Sequence, residues 1–438
     1  MSSYIRKKTP GDTEWFFHDR FGMFIHFGSY SLAARHEWVK TKEFIPEDRY
    51  QIYADHFNPD LYDPCEWAKK AKAAGMKYAV LTTKHHEGFC LFDTKYTDYN
   101  VMNTPYGKDV VRGFVDAFRA EGIKIGFYYS LIDWHHPEFP IDQLHPRRND
   151  ANAEELDRGR DMKKYVQYMR NQITELLTNY GKIDILWFDY AYPPKPDNPS
   201  WMQFKGGKLK EQWEAESLVE LARSLAPGII INDRMGLPQD ISTPEQRQKD
   251  CWPQDRETGE YLTWETCHTF SGVWGYARDE HSWKTPKMLI DLLTRTVALG
   301  GNLIMNVGPT ARGYFDSRAD KALQVYADWI KYNGRSIYGC TMAEPDFKAP
   351  AGTVLTQSMD GKRLYIHLQD CQFKYFSFPS LAGKFKYMQL LNDASEVEYI
   401  ENLNSYDAAG NLEDASLAIK TPPTVYDMVA PVIEVFLK

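Results

Sequence analysis

The sequence predicts a (β/α)8-like barrel followed by a small antiparallel β-sandwich domain, and three observations carry that prediction. From about residue 20 to 335, short apolar runs alternate with longer amphipathic stretches, the pattern of a parallel α/β fold. Several of these runs end on polar or aromatic residues, as strands do where a barrel gathers chemistry at their C-terminal tips. After Cys340 the helical spacing stops and short β-type runs with turns between them take over. The expected organisation is a barrel over 1–340 and a β-sandwich over 345–438.

In chain order, Phe21 to Gly28 reads as a first strand. Residues 61–75 place Trp67, Ala68, Ala71 and Ala74 at helical spacing and stop at Gly75. Lys77 to Thr83 is a second strand, ending in Lys84-His85-His86-Glu87-Gly88, and Asp109 to Gly122 is a helix. Lys124 to Ser130 is a third strand, and 152–181 a long charged amphipathic helix. That helix feeds the stretch with the clearest signal, Gly181-Lys182-Ile183-Asp184-Ile185-Leu186-Trp187-Phe188-Asp189, a buried strand with a carboxylate at its tip. A loop rich in proline and lysine (Pro193 to Lys210) and a helix reaching Leu225 lead to a fifth strand, Gly228 to Ile231, ending at Asn232-Asp233-Arg234. Residues 236–263 read as irregular. Strands at Trp264 to Phe270 and Asn302 to Val307, with helices Pro286 to Leu299 and Ala319 to Tyr332, complete the barrel.

Composition narrows the function. A net charge of −8 argues against nucleic acid as a main partner, because phosphate binding needs a basic surface. No run approaches the ~18 apolar residues of a membrane span, and no apolar segment follows the basic N-terminus, so a cytoplasmic location is expected. The 6 scattered cysteines read as reduced thiols. Aromatic residues make up 14% of the chain, and aromatic faces suit either a large core or the C–H faces of sugars.

The strand tips carry His26, then His85-His86, then Tyr128-Tyr129, then Trp187 with Asp189, then Arg234, all aimed at one pocket in a barrel. Histidines raise a metal site first. Against it, His85 and His86 are adjacent, so on a strand their rings would point to opposite sides, and no H-E-x-x-H is present. Neutral imidazoles that hydrogen-bond hydroxyls suit a sugar instead. A glycosidic bond then calls for two carboxylates. Asp189 is one; Glu37, Glu87, Asp233, Glu245 and Glu265 are candidates for the other.

The blocks Ile25-His26-Phe27-Gly28, His36-Glu37-Trp38, Lys84-His85-His86-Glu87-Gly88-Phe89, Leu186-Trp187-Phe188-Asp189, Thr243-Pro244-Glu245 and Trp264-Glu265-Thr266-Cys267 together resemble the α-L-fucosidases of glycoside hydrolase family 29. The resemblance spans roughly residues 10–340 and points to the broad-specificity branch. It implies a retaining exo-fucosidase that needs no cofactor or metal, with Asp189 as nucleophile and Glu245 as acid/base, Glu265 being the second choice. It also implies that His26, Glu37, Trp38, His85 and His86 grip the fucose, while Tyr129, Trp187 and Arg234 line the pocket and orient the nucleophile. An apolar wall for the C6 methyl would come from Phe27 or Trp274. Tyr190 stands where glycine often follows the nucleophile in that family. The implied partner is a fucosylated oligosaccharide or glycoconjugate; a homo-oligomer is compatible with the sequence. The rival readings are a glycosidase of galactosides, a metal-dependent hydrolase using the histidines, and a fucose-binding protein without turnover.

Overall fold

The computed structural model describes residues 4–142, 144–191, 208–370, 374–402, 406, 409–411, 416–421 and 429–438. Most of the Pro193 to Lys210 loop, and Cys371, lie outside the described residues. The barrel strands are β1 (Phe21–Ile25), β2 (Tyr78–Lys84), β3 (Lys124–Ser130), β4 (Ile185–Asp189), β5 (Ile230–Ile231), β6 (Glu265–Thr269) and β7 (Asn302–Val307). They pair in parallel in the order β5-β4-β3-β2-β1-β7-β6. Helices Pro64–Ala73, Val110–Ala120, Met162–Asn179, Ala215–Leu225 and Pro286–Ala298 make the crossovers, and Ser317–Asn333 follows β7.

Helix starts follow local chemistry. Asp63 accepts from the N–H groups of Cys65 and Glu66 with Pro64 in the first turn, and Asp109 accepts from Arg112 N at 2.8 Å. Such caps contribute about 1 kcal/mol each. The expected single helix over 152–181 is two, Ala153–Asp157 and Met162–Asn179. Gly159 at φ +91° breaks it, and Asp161 caps the second piece.

The gap between β5 and β6 is closed by a segment with no regular strand. Asn232 bridges Ile241, Ser242 bridges Trp264, and Glu245 bridges Cys267, all in parallel. Ser242 N donates to Thr263 O at 3.1 Å, Glu265 N to Ser242 O at 2.9 Å, and Gln246 N to Cys267 O at 3.0 Å. Residues 241–245, expected to be irregular, are thus a frayed eighth strand. Pro244 removes one ladder donor, and polar residues replace the apolar run that marks a strand in sequence.

Alternation along each strand separates two cores. Ile125, Phe127 and Tyr129 of β3, with Leu186 and Phe188 of β4, face the helices. Tyr128, Ile185 and Trp187 point inward with Phe24, Tyr78, Val80 and Ile304 to fill the barrel. Each such fully buried side chain contributes roughly 1.5–3 kcal/mol.

Beyond the barrel come β8 (Cys340–Met342), β9 (Thr353–Ser358), β10 (Arg363–Leu368), β11 (Tyr375–Ser377), β12 (Phe385–Leu390), β13 (Tyr399–Asn402), β14 (Ser416–Lys420) and β15 (Val432–Leu437). They form antiparallel sheets β12-β15-β10-β9-β8 and β11-β14-β13 around a core that includes Leu364, Ile366, Phe378, Leu417 and Val435. Among the described residues no helix is long and apolar enough to cross a membrane.

Candidate active site

A cavity of about 750 Å³ opens at the C-terminal ends of the strands, and its described lining runs from Phe24 to Trp274. The antiparallel domain contributes nothing to that described lining. His26, Glu37, Trp38, His85, His86, Trp187, Asp189, Arg234 and Glu245 all line it. Tyr129 does not, and this corrects the sequence expectation. Its ring lies on the helix side of β3, and its hydroxyl donates to Gln172 Oε1 at 2.7 Å. The neighbour Tyr128 takes the inward place, because β3 pairs with β4 in the register Tyr128↔Trp187 and Ser130↔Asp189. A signal for this was present: one face of β3 is Ile125, Phe127 and Tyr129, the other Gly126, Tyr128 and Ser130. The more apolar face belongs against helices.

Asp189 sits at the tip of β4 and its side chain is nearly buried. Its Oδ2 accepts from the Tyr128 hydroxyl at 3.0 Å, and its Oδ1 from Arg234 Nη1 at 3.0 Å. Burial pushes this carboxyl above its ordinary range; Arg234 opposes the shift and Glu245 adds to it. Glu245, on the frayed strand, is 43% exposed and its Oε2 accepts from the same Arg234 Nη1 at 2.7 Å. One nitrogen therefore bridges both carboxylates, and the sum of its two bonds bounds the Oδ1···Oε2 separation at 5.7 Å. Burial alone would lower the Arg234 pKa, but Asp189 and Glu245 hold the guanidinium well above its ordinary value. It lies 4.7 Å over the Trp187 ring. The rest of the fork donates to Thr243 O at 3.1 Å and Thr243 Oγ1 at 3.3 Å.

His26 and His86 are fixed as neutral acceptors. Asn306 Nδ2 donates to Trp274 O at 2.6 Å, so its Oδ1 accepts from His26 Nδ1 at 2.6 Å. That leaves the lone pair on His26 Nε2. Ser130 Oγ donates to Ile132 O at 2.7 Å and accepts from His86 Nδ1 at 2.6 Å, which leaves the lone pair of His86 on Nε2, 4.0 Å from Asp189 Oδ2. Burial and the adjacent imidazoles push both rings well below the usual histidine range. His85 and His86 face the same cavity rather than opposite sides, with ring centroids 4.1 Å apart. The strand ends at Lys84, and a turn closed by Gly88 N donating to His85 O follows. Gly88 is at φ +88°, where a Cβ would lie 2.2 Å from Asp133 Oδ1, so no other residue fits the turn.

The remaining candidate carboxylates have other work. Glu37 lines the cavity, and its Oε2 accepts from the N–H groups of Trp274 and Gly275. Asp233 accepts from Thr243 N and Oγ1 at 3.1 and 2.8 Å. Glu87 is fully buried, 3.6 Å from His85 Nδ1. Glu265 lies inside the barrel below the cavity, accepting from the Tyr78 hydroxyl and from Trp187 Nε1 at 3.3 Å. Burial raises it to about 7. Asp133 pairs with buried Lys84 at 3.2 Å and accepts from His135 N and His136 N, a network that orders the loop. Phe27 packs against Phe57 and Trp67 in the helix layer, away from the cavity, so Trp274 with Phe24 forms the apolar corner. Among the described residues no three His, Cys, Asp or Glu side chains are grouped as metal ligands would be.

Comparison with known proteins gives the family. The family described as Alpha-L-fucosidase matches residues 5–335. Tissue alpha-L-fucosidase of Mus musculus is 29% identical over 350 residues, covering 74% of this chain and 71% of the mouse protein. The structure of alpha-L-fucosidase isoenzyme 1 from Paenibacillus thiaminolyticus superposes with a TM-score of 0.88 at 41% identity, over 97% of this chain and 98% of that one. A GH29 alpha-L-fucosidase from Bacteroides thetaiotaomicron, solved as a trapped covalent intermediate with 2-fluoro-fucosyl fluoride, gives a TM-score of 0.80 at 26% identity, over 100% of this chain and 98% of that one.

Proposed function

This chain belongs to the α-L-fucosidase family, and from that premise we propose how its own residues carry out the reaction. It is a retaining exo-α-L-fucosidase that removes terminal α-L-fucose from oligosaccharides or glycoconjugates through a covalent intermediate. The observation that supports the residue assignment is the single Arg234 nitrogen spanning Asp189 and Glu245. The bridge brings one oxygen of each carboxylate within 5.7 Å of the other, as the close spacing of a retaining pair requires.

Asp189 attacks the anomeric carbon while Glu245 protonates the departing oxygen, so the C–O bond to fucose forms on Asp189 as the glycosidic bond breaks. Forming that ester removes the charge of Asp189 and leaves Arg234 facing Glu245 alone. In the second step Glu245 takes a proton from water as the water oxygen attacks the anomeric carbon and the ester bond to Asp189 breaks. His26 and His86 present lone pairs to sugar hydroxyls. The Trp274–Phe24 corner suits a methyl group at C6. Assignment to the broad-specificity branch rests on the resemblance of Glu245, which lies between β5 and β6, to the acid/base of that branch.

Hydrolysis of an aryl α-L-fucoside with and without azide tests this reading. Asp189→Ala is expected to lose several orders of magnitude in kcat and to recover turnover as an inverted fucosyl azide. Glu245→Ala is expected to lose about 10²-fold or more on poor leaving groups, with a retained azide product. A Glu245→Ala enzyme at wild-type rate on such a substrate would move the acid/base role elsewhere.

A further inference from the structure

The more exposed wall of the cavity has no part in the chemistry above. Lys42 ends the short helix Val39–Lys42, and Arg148 belongs to the 3-10 turn Pro146–Asn149. Both line the cavity with His36 and Tyr190. Every carboxylate on the described lining is already engaged: Glu37 by two backbone N–H groups, Asp189 and Glu245 by Arg234. Among the described residues the Lys42 ammonium makes no hydrogen bond or ion pair, while its backbone N–H donates to Trp38 O at 3.0 Å. Arg148 donates only to uncharged oxygens, Thr41 Oγ1 at 2.7 Å, Thr41 O at 3.4 Å and His145 O at 2.8 Å. Two cations therefore face the cavity with no carboxylate in ion-pair contact, in a chain whose net charge is −8; Asp142, the acid that acts on Arg148 through space, is paired with Lys208. A negative protein repels anions over most of its surface, so a cationic wall confined to the cavity acts as a local selector.

We propose that this wall is a subsite for an anionic group, a carboxylate or a sulfate ester, on the sugar to which the fucose is attached. Lys42 and Arg148 supply the charge, and Tyr190 supplies an apolar face beside them. Arg148 is held in place by its bonds to Thr41 and His145, so meeting an anion costs it little conformational freedom. The proposal rests on the fucosidase reading and extends it to the leaving group.

The test compares 4-carboxyphenyl, 4-sulfophenyl and neutral 4-carbamoylphenyl α-L-fucosides on wild type, Lys42→Glu and Arg148→Gln. Lys42 is exposed and its side chain makes no hydrogen bond, so its variant is expected to fold normally. For Lys42→Glu, kcat/KM on the two anionic substrates should fall by about tenfold relative to the carbamoyl one, which itself stays within about twofold of wild type. Adding about 0.5 M NaCl should shrink the wild-type preference. A larger loss on the carboxylate than on the sulfonate points to an acidic sugar, and the reverse to a sulfated one. Equal ratios in wild type and Lys42→Glu overturn the subsite. Absence of turnover on all three aryl fucosides by wild type instead overturns the fucosidase reading.

Discussion

Tyr190 follows Asp189 at φ +90°, in a region that side-chain-bearing residues rarely adopt. The strain is held by neighbours: Leu131 N donates to Asp189 O at 2.9 Å and Ala191 N to Arg234 O at 2.8 Å. In return the ring packs on Trp38 and His86, at centroid distances of 5.3 and 5.2 Å. Both terms can be separated. Tyr190→Gly removes ring and strain, whereas Tyr190→Ala removes only the ring. The glycine variant is expected to be more stable by about 1 kcal/mol in urea unfolding, and equal midpoints would mean that the backbone is unstrained. Glu265 offers a second test at this scale. Its carboxyl titrates near 7 in the folded protein against 4.5 for an ordinary glutamate. Between those values the folded state binds more protons than the unfolded one, so this contribution to stability is complete below 4.5 and fades as pH rises to 7. The loss is about 3 kcal/mol. Glu265→Gln should flatten the fall in stability over that interval, measured by thermal melts across pH.

At the scale of elements, the frayed strand over 241–245 decides the site. It has few ladder bonds, so Glu245 is positioned by what holds that strand at its middle. Asp233 does so through Thr243, which also meets Arg234 Nε. Asp233→Ala should therefore displace Glu245 more than Asp189. The expected readout is a loss of about tenfold on a poor leaving group and a much smaller one on an activated aryl fucoside. Equal losses on both would place Asp233 elsewhere in the mechanism. The regular elements behave differently. Strands β2, β3 and β4 are each held by two neighbours and carry His85-His86, Tyr128 and Asp189 at or just beyond their tips.

Across the whole molecule the barrel and the antiparallel domain share packing. Tyr365, Leu391, Ala430 and Val432 belong to the same buried cluster as the barrel helices. Trp329 Nε1 donates to Ala430 O at 3.0 Å, Gln369 Nε2 to Thr294 Oγ1 at 3.0 Å, and fully buried Arg20 reaches Cys340 O at 2.9 Å and Gly300 O at 2.8 Å. The cavity lies at the strand tips and takes no described lining from that domain, which packs against the barrel helices. Calorimetry is expected to give one cooperative transition; two separated peaks would show that the domains unfold independently.

Much of this protein was written locally. Apolar runs of strand length, helix stops such as Gly75 and the aspartate closing Ile185-Leu186-Trp187-Phe188-Asp189 determined the barrel and pointed to most residues of the cavity, because each signal lies within a few neighbouring residues. Three features were decided only by tertiary structure. Whether Tyr128 or Tyr129 faces Asp189 depends on the register of β3 against β4, and a shift by one residue exchanges the two faces. The eighth strand exists because residues far apart in sequence lend it hydrogen bonds, with no periodicity of its own. The bridge from Asp189 through Arg234 to Glu245 joins three elements, and its geometry is set by how the barrel closes.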